Sequence, residues 1–370
     1  MSHLTDADLE ITEIDVWPVD IGVTDDFVIS GGKVTTAELS FVAVHLNGGV
    51  VGFGEIAPFP AVTGEDRDTS AEVALQLGGL LIGKPVSHYR KLSLDLAEAQ
   101  PKQPAARCGL ETAILDALCR AMRIPMWAFW GGSWSKLPVT DITLPLIELN
   151  RYLELANHWF NNGFRTFKLK VGTDVSEDLE RIRLINKSFP SVSFILDANE
   201  GFTEKDAFTF IKEVAALNCK VLLFEQPVAR DDIEGMAAIT RSIDIPVAAD
   251  ESVASAKDAI KVIEAGAARV INLKIMKSGV LEAFRIATIA RAYGLDLMFG
   301  GMVETRLAMG CSLALALGLG ETKFLDLDTP LLLSEDPLHG GYEYQGPKIK
   351  PCKDPGLGSF PSIAPRVFAR

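Results

Sequence analysis

Residues 167–170 read Phe-Lys-Leu-Lys, and four further apolar runs follow, each ending on a charge: FILD on Asp197, VLLFE on Glu225, PVAAD on Asp250 and RVINLK on Lys274. From Lys170 onward the charged ends are 27, 28, 25 and 24 residues apart, about one strand plus one helix each time. Runs of this kind suit strands buried on both faces of a parallel sheet, and a charge at the C-terminal end of each is carried to the rim where the next loop begins. Repetition of that unit predicts a (β/α) barrel, whose active sites are assembled from several strand ends at the C-terminal face.

Working outward, eight strand candidates begin after Pro138: 139–145, 166–171, 193–197, 221–225, 246–250, 269–274, 295–299 and 323–326. Seven intervals separate them, with helical stretches such as 178–187, 204–217 and 281–292. A doubly wound sheet is the alternative, but no GxGxxG follows a first strand. The chain before this repeat is built differently. Residues 11–18 and 37–46 read as strands, Asn47-Gly48-Gly49 as a tight turn, 50–55 as the returning strand, and 69–82 and 103–123 as helices. The expected fold is therefore α/β: a (β/α)7β barrel over 136–329 and an α+β capping domain over 1–135. Residues 330–370, rich in Pro, Gly and Leu at their start, are too short for a domain and are expected to return to the cap.

Composition narrows the partners. At 370 residues the chain can bury a large core, and two domains are the natural prior. The formal charge of −13 argues against nucleic acid or an anionic membrane as a partner. A small-molecule substrate and a homo-oligomer are both compatible with it. Five scattered cysteines without a CxxC pair read as free thiols, and the N-terminus lacks the apolar core of a signal peptide. Both point to the cytoplasm or another reducing compartment.

Asp197, Glu225 and Asp250 come from three successive strands, so their ends can converge on one ion. An all-oxygen set with open positions suits octahedral Mg²⁺, and zinc is disfavoured because no Cys or His stands at a strand end. Lys168 and Lys170, two apart on a strand, face the same side. Two ammonium groups held together are expected to lower a pKa and free one as a base, with Lys170, nearer the rim, the better candidate. Lys274, on the sixth strand, lies across the barrel, and a base on each face of a carbon is what a 1,1-proton transfer requires. Lys277 reads as a solvated loop lysine. No histidine falls between residues 159 and 338, so a late-strand histidine base is unavailable.

With Lys-x-Lys, Asp, Glu, Asp and Lys in this order, the chain resembles the enolase superfamily, specifically its muconate-lactonizing subgroup, over nearly its whole length. The resemblance implies metal-assisted removal of a proton α to a carboxylate, with Lys168 and Mg²⁺ stabilising the charge that develops. Asp326 and Asp328, in Phe-Leu-Asp-Leu-Asp, look like the dipeptide epimerase signature, in which such a pair binds the substrate's α-ammonium. Thr143 and Met302 match substrate-lining positions, and Asn199, Glu251 and Ser252 look like partners of the metal ligands. The pair separates a dipeptide epimerase from the subgroup's cycloisomerases, o-succinylbenzoate synthases and N-acylamino acid racemases, whose substrates offer it no cation.

One departure bears on specificity. Epimerases acting on L-Ala-L-Glu carry an arginine in the loop after the first strand, whereas residues 22–33 here contain none. Lys33 is the loop's basic residue and a candidate substitute, whereas Asp25 and Asp26 are acidic. The resemblance therefore implies a hydrophobic or broad second residue, with Phe27, Val28, Phe299 and Val303 as pocket walls. A cationic side chain drawn to Asp25 or Asp26 stays open. Gly31-Gly32 reads either as a hinge for loop closure or as a plain turn.

Overall fold

The computed structural model describes residues 4–29, 32–320 and 322–362. The cap opens with an antiparallel meander, β1 (Ile11–Ile29), β2 (Gly32–Leu46) and β3 (Val51–Ile56). Helices α1 (Pro60–Thr63), α2 (Arg67–Gly79), α3 (Tyr89–Ala99), α4 (Pro104–Met122) and α5 (Met126–Phe129) follow. The turn at 47–49 and the long helices near 69–82 and 103–123 are where the sequence places them, while α3 is additional. In α4 every residue from Ala105 to Cys119 is buried. A helix buried all round carries no polar stripe, which is why its periodicity is a weak guide.

The hairpin of β1 and β2 is longer than its apolar pattern suggests. Pairing continues from Pro18↔Ser40 to Ile29↔Gly32, with an irregularity between Gly22 and Phe27. The stretch read as a loop is thus mostly paired backbone, since a ribbon satisfies its own N–H and C=O groups whether or not its side chains have a core. Gly31 and the side chains of Asp26, Phe27, Val28 and Lys33 lie outside the described residues.

The barrel strands are β4 (Ile142–Leu144), β5 (Thr166–Lys170), β6 (Ser193–Asp197), β7 (Lys220–Glu225), β8 (Val247–Ala249), β9 (Val270–Leu273), β10 (Asp296–Phe299) and β11 (Phe324–Leu325). They form one eight-stranded sheet in chain order, all neighbours parallel. Its two edges meet where Asp141 N donates to Leu325 O at 3.0 Å. Between the strands run α6 (Leu149–Asn161), α7 (Val175–Ser188), α8 (Glu204–Ala216), α9 (Ile233–Ser242), α10 (Ala256–Ala265), the short α11 (Ile275–Ser278), α12 (Val280–Ala292) and α13 (Arg306–Leu319). No helix among the described residues is long and apolar enough to cross a membrane.

Most of these helices start on their own cap: Glu148, Asp174, Thr203, Asp232, Ser255 and Thr305 each accept a first-turn N–H. Helix α12 has none, because Gly279 stands at its N-cap. Its orphan donors are met from the other domain, where Glu111 of α4 accepts Val280 N at 2.6 Å and Leu281 N at 3.2 Å. Gly279 has φ +91°, and a Cβ there would lie 2.9 Å from Glu111 Oε2, so glycine is what allows the approach. Glu55 of β3 does the same at α13, accepting Thr305 N at 2.8 Å and Ala308 N at 3.2 Å along with the Thr305 hydroxyl. Glu55→Ala would leave these donors buried and unpaired, so a loss of about 3 kcal/mol or more is expected. A lowered denaturation midpoint in urea checks it.

The C-terminal stretch touches both halves. β12 (Leu338–Gly340) pairs with β15 (Ser359–Pro361), and β13 (Glu343–Gln345) with β14 (Lys348–Lys350). Leu357 N donates to Asp116 of α4 at 2.6 Å, and Trp127 Nε1 to Cys352 O at 2.7 Å. On the barrel side Ile349 N donates to Pro138 O at 2.9 Å.

Candidate active site

The alternation of the barrel strands builds the site in two layers. Ile195, Leu223, Ala248, Val270 and Met298 form an apolar cluster of their own, with Phe324 packed against it. Two residues beyond Ile195, Leu223, Ala248 and Phe324 on the same chain come Asp197, Glu225, Asp250 and Asp326. A period of two puts each carboxylate above an apolar residue, so an oil-lined floor carries a charged ring at the rim. The same rule corrects the reading of Phe299. Met298 faces inward, so Phe299 points out to the helices and is fully buried in the larger core, away from any substrate.

Register sets the ring. Lys170 lies beside Asp197, Asp197 beside Glu225, and Thr143 beside Lys168. Lys168, only 2% exposed, places Nζ 2.7 Å from Asp326 Oδ2, 2.9 Å from Glu225 Oε2 and 3.0 Å from Asp197 Oδ2. Lys170 Nζ donates to Asp197 Oδ2 at 2.7 Å and to Asn199 Oδ1 at 3.0 Å. Lys274 Nζ stands 2.6 Å from Asp250 Oδ2. Asn199 Nδ2 in turn reaches Glu251 Oε1 at 3.0 Å, while the Ser252 hydroxyl accepts from Gln226, whose Oε1 holds Asp250 N.

Lys277 does not sit in solvent. The short turn of α11 brings it back over Lys274's side of the barrel, where it is 5% exposed and donates to Asp250 Oδ1 at 2.6 Å and Asn272 O at 3.2 Å. Asp250 is therefore shared by two buried lysines. Asn272 Nδ2 donates to Glu225 Oε1 at 2.7 Å, a contact for which the sequence offers no signal beyond its place two residues before Lys274.

The electrostatics follow from this crowding. Burial alone would raise Asp250 and Asp197, but Lys274 and Lys277 outweigh it at Asp250, and Lys168 and Lys170 at Asp197, and both are held below the usual carboxylate range. Glu225 is pushed up to about 8 by burial and then by Asp197. The expectation that neighbouring ammonium groups lower a lysine's pKa is reversed at Lys168. Burial favours its neutral form, yet Asp197, Asp326 and Glu225 hold it protonated, as Asp250 does Lys274. Three close carboxylates outweigh one repelling ammonium.

A divalent cation fits this set chemically. Asp197, Glu225 and Asp250 offer only oxygen, and Glu225 Oε2 and Asp250 Oδ2 are buried without a hydrogen-bond donor in proper geometry. The carboxylates that approach within 4.8 Å of one another are different ones, however: Asp141, Asp326 and Asp328. Asp328 is buried, accepts Thr143 N at 2.5 Å and is pushed up to about 7 by burial and then by Asp326. Met302 is buried and donates its N–H to Glu304 at 2.7 Å, while Val303 is partly exposed. Asp25 is bound bidentately by Arg151 of α6, at 2.8 and 3.0 Å. A cavity of about 1210 Å³ opens behind the ring, lined by Arg107, Arg230, Glu251 and Lys277 among others; ion pairs fill the ring itself.

Comparison with known proteins shows what the chain is similar to. Residues 12–131 match the model of the mandelate racemase / muconate lactonizing enzyme N-terminal domain, and residues 151–361 that of the enolase C-terminal domain-like family. The chain is 40% identical to an L-Ala-D/L-amino acid epimerase of Populus trichocarpa, covering 93% of this chain and 83% of that protein. It is likewise 40% identical to an aromatic dipeptide epimerase of Herpetosiphon aurantiacus, over 94% and 98% of the two chains. A dipeptide epimerase from Enterococcus faecalis V583, complexed with Mg and the dipeptide L-Leu-L-Tyr, superposes with a TM-score of 0.90 at 30% identity, over 95% of this chain and 99% of that one.

Proposed function

The chain belongs to the mandelate racemase / muconate lactonizing enzyme family of the enolase superfamily, and from that premise we propose how it works. It is a Mg²⁺-dependent dipeptide epimerase that inverts Cα of the C-terminal residue by 1,1-proton transfer. The observation that carries this reading is the ring itself: Lys170 and Lys274 on opposite sides, carboxylates between them, and a second carboxylate pair at Asp326 and Asp328.

Asp197, Glu225 and Asp250 would hold the metal, which supplies positive charge to the substrate carboxylate as the α-proton leaves. Lys168 adds a fixed ammonium beside it. Lys170 and Lys274 take and return the proton on the two faces of Cα. Lys274, held protonated by Asp250, reaches its basic form when that contact is relieved, and Lys170 lies against Asp197. Asp326 and Asp328 bind the free α-ammonium, and Thr143 and Met302 flank the bound dipeptide. A cap of residues 1–135 completed by 330–370 would close over a barrel of 136–329.

For the second residue we favour a hydrophobic or broad preference. Arg151 occupies Asp25, and a relative 40% identical is an aromatic dipeptide epimerase.

The test is a pooled dipeptide library incubated with the enzyme and Mg²⁺ in D₂O and read by mass spectrometry. Deuterium is expected at Cα of the C-terminal residue, most with hydrophobic side chains, and N-acetylated dipeptides are expected to stay unlabelled. Labelling confined to N-acylamino acids, with the metal shown bound, would overturn the assignment.

A further inference from the structure

Asp141 belongs to no motif, and its environment is unusual. It precedes β4, two residues before Thr143, so its side chain shares the barrel-facing side with Thr143. It is 3% exposed, and neither Oδ1 nor Oδ2 accepts a hydrogen bond. Its near polar company is carboxylate: oxygens of Asp141, Asp326 and Asp328 lie within 4.8 Å of one another. A buried carboxylate with no donor is a costly arrangement, and two in contact are costlier.

The charges around this trio identify the carboxyl that carries a proton. Asp326 takes the Lys168 ammonium at 2.7 Å, and Asp328 takes the Thr143 N–H at 2.5 Å. Lys168 is also shared with Asp197 and Glu225, leaving nothing for Asp141. Burial pushes Asp141 well up, and Asp326 and Asp328 push it further, with Lys168 acting the other way. At Asp326 the balance is opposite, Lys168 outweighing burial and holding it low.

We propose that Asp141 is a neutral carboxylic acid whose O–H donates to Asp326, a positioning residue that fixes an ammonium-binding carboxylate without adding a third negative charge. As far as it concerns the ammonium, this rests on the reading of Asp326 and Asp328 given above. Asp326 shares the Lys168 ammonium with Asp197 and Glu225, so an ionised Asp141 would add a further negative charge with no cation of its own beside the ammonium site.

Two substitutions and one spectrum test the proposal. Asp141→Asn keeps the shape and puts an amide N–H where the acid's O–H stood, so KM for a dipeptide that the wild type turns over should stay within about threefold. Asp141→Leu keeps the branched outline and loses the donor, and KM should rise about tenfold or more with a smaller change in kcat, the size of one lost hydrogen bond. A loss in the Asn variant equal to that in the Leu variant would mean that the negative charge is needed, and would overturn the proposal. Infrared difference spectra of the resting enzyme, wild type minus Asp141→Asn, should show a protonated-carboxyl C=O band that shifts in D₂O. Its absence would overturn the proposal independently of any activity. A wild type that shows the band but labels no dipeptide would instead sink the dipeptide reading and leave the protonated Asp141 standing.

Discussion

Lys274→Ala is expected to cut epimerisation by about 10²–10⁴-fold or more, while solvent deuterium still enters one of the two epimers. The argument is geometric. With a base on each face of Cα, inversion needs both, but exchange needs only the base facing the proton that leaves. Lys274 removed, Lys170 can still take and return a proton on its own side. Lys170→Ala should show the mirror pattern, with exchange surviving in the opposite epimer. Proton NMR in D₂O, started from each pure epimer, reads both variants. Survival of exchange in the same epimer for both would place the lysines on one face and defeat the two-base mechanism.

The second large effect falls on Asp250. It is the counterion of both Lys274 and Lys277, each at 2.6 Å and buried with it. Asp250→Asn leaves two ammonium groups in a dry site facing a neutral amide, and breaking a buried pair of this kind typically costs about 3–5 kcal/mol. The same change removes a ligand from the proposed metal set. Two results are therefore expected together: a lower melting temperature in chelator, and loss of the further stabilisation that Mg²⁺ gives the wild type by binding the folded state. Because Asp250 is held below the usual carboxylate range, its contribution is complete at neutral pH and above, and fades only as the pH falls through its lowered pKa. The comparison is best made near neutrality. An Asn variant that still responded to Mg²⁺ as the wild type does would remove Asp250 from the ligand set.

What the sequence could reveal depended on whether a signal was local. Apolar runs of strand length, repeated every 24 to 28 residues and ending on charges, are local, and all eight predicted strands stand in the sheet. Asp326 and Asp328 are two apart, so one short motif carries both. Lys277 was misread because burial depends on where the turn of α11 sends it, and a lysine three residues past a strand end is ordinarily wet. Phe299 was misplaced by one step of the alternation, which names two faces without saying which is inside. Asp141 gives no sign in its own neighbourhood, since the residues that make it unusual are 185 and 187 positions away in the chain. Glu55 and Glu111 are alike in this, meeting their donors at separations of 250 and 169.

Those two glutamates also bear on how such enzymes diversify. Glu55 pairs across the sheet with Phe41, whereas the hairpin of β1 and β2 ends at Gly32. Nine residues of strand separate the two places, roughly 30 Å at about 3.3 Å per residue. The riveted end of the cap and the far end of its hairpin are thus far enough apart to change on separate schedules. A lineage can rewrite the hairpin's far end while the joint between the two halves is inherited untouched.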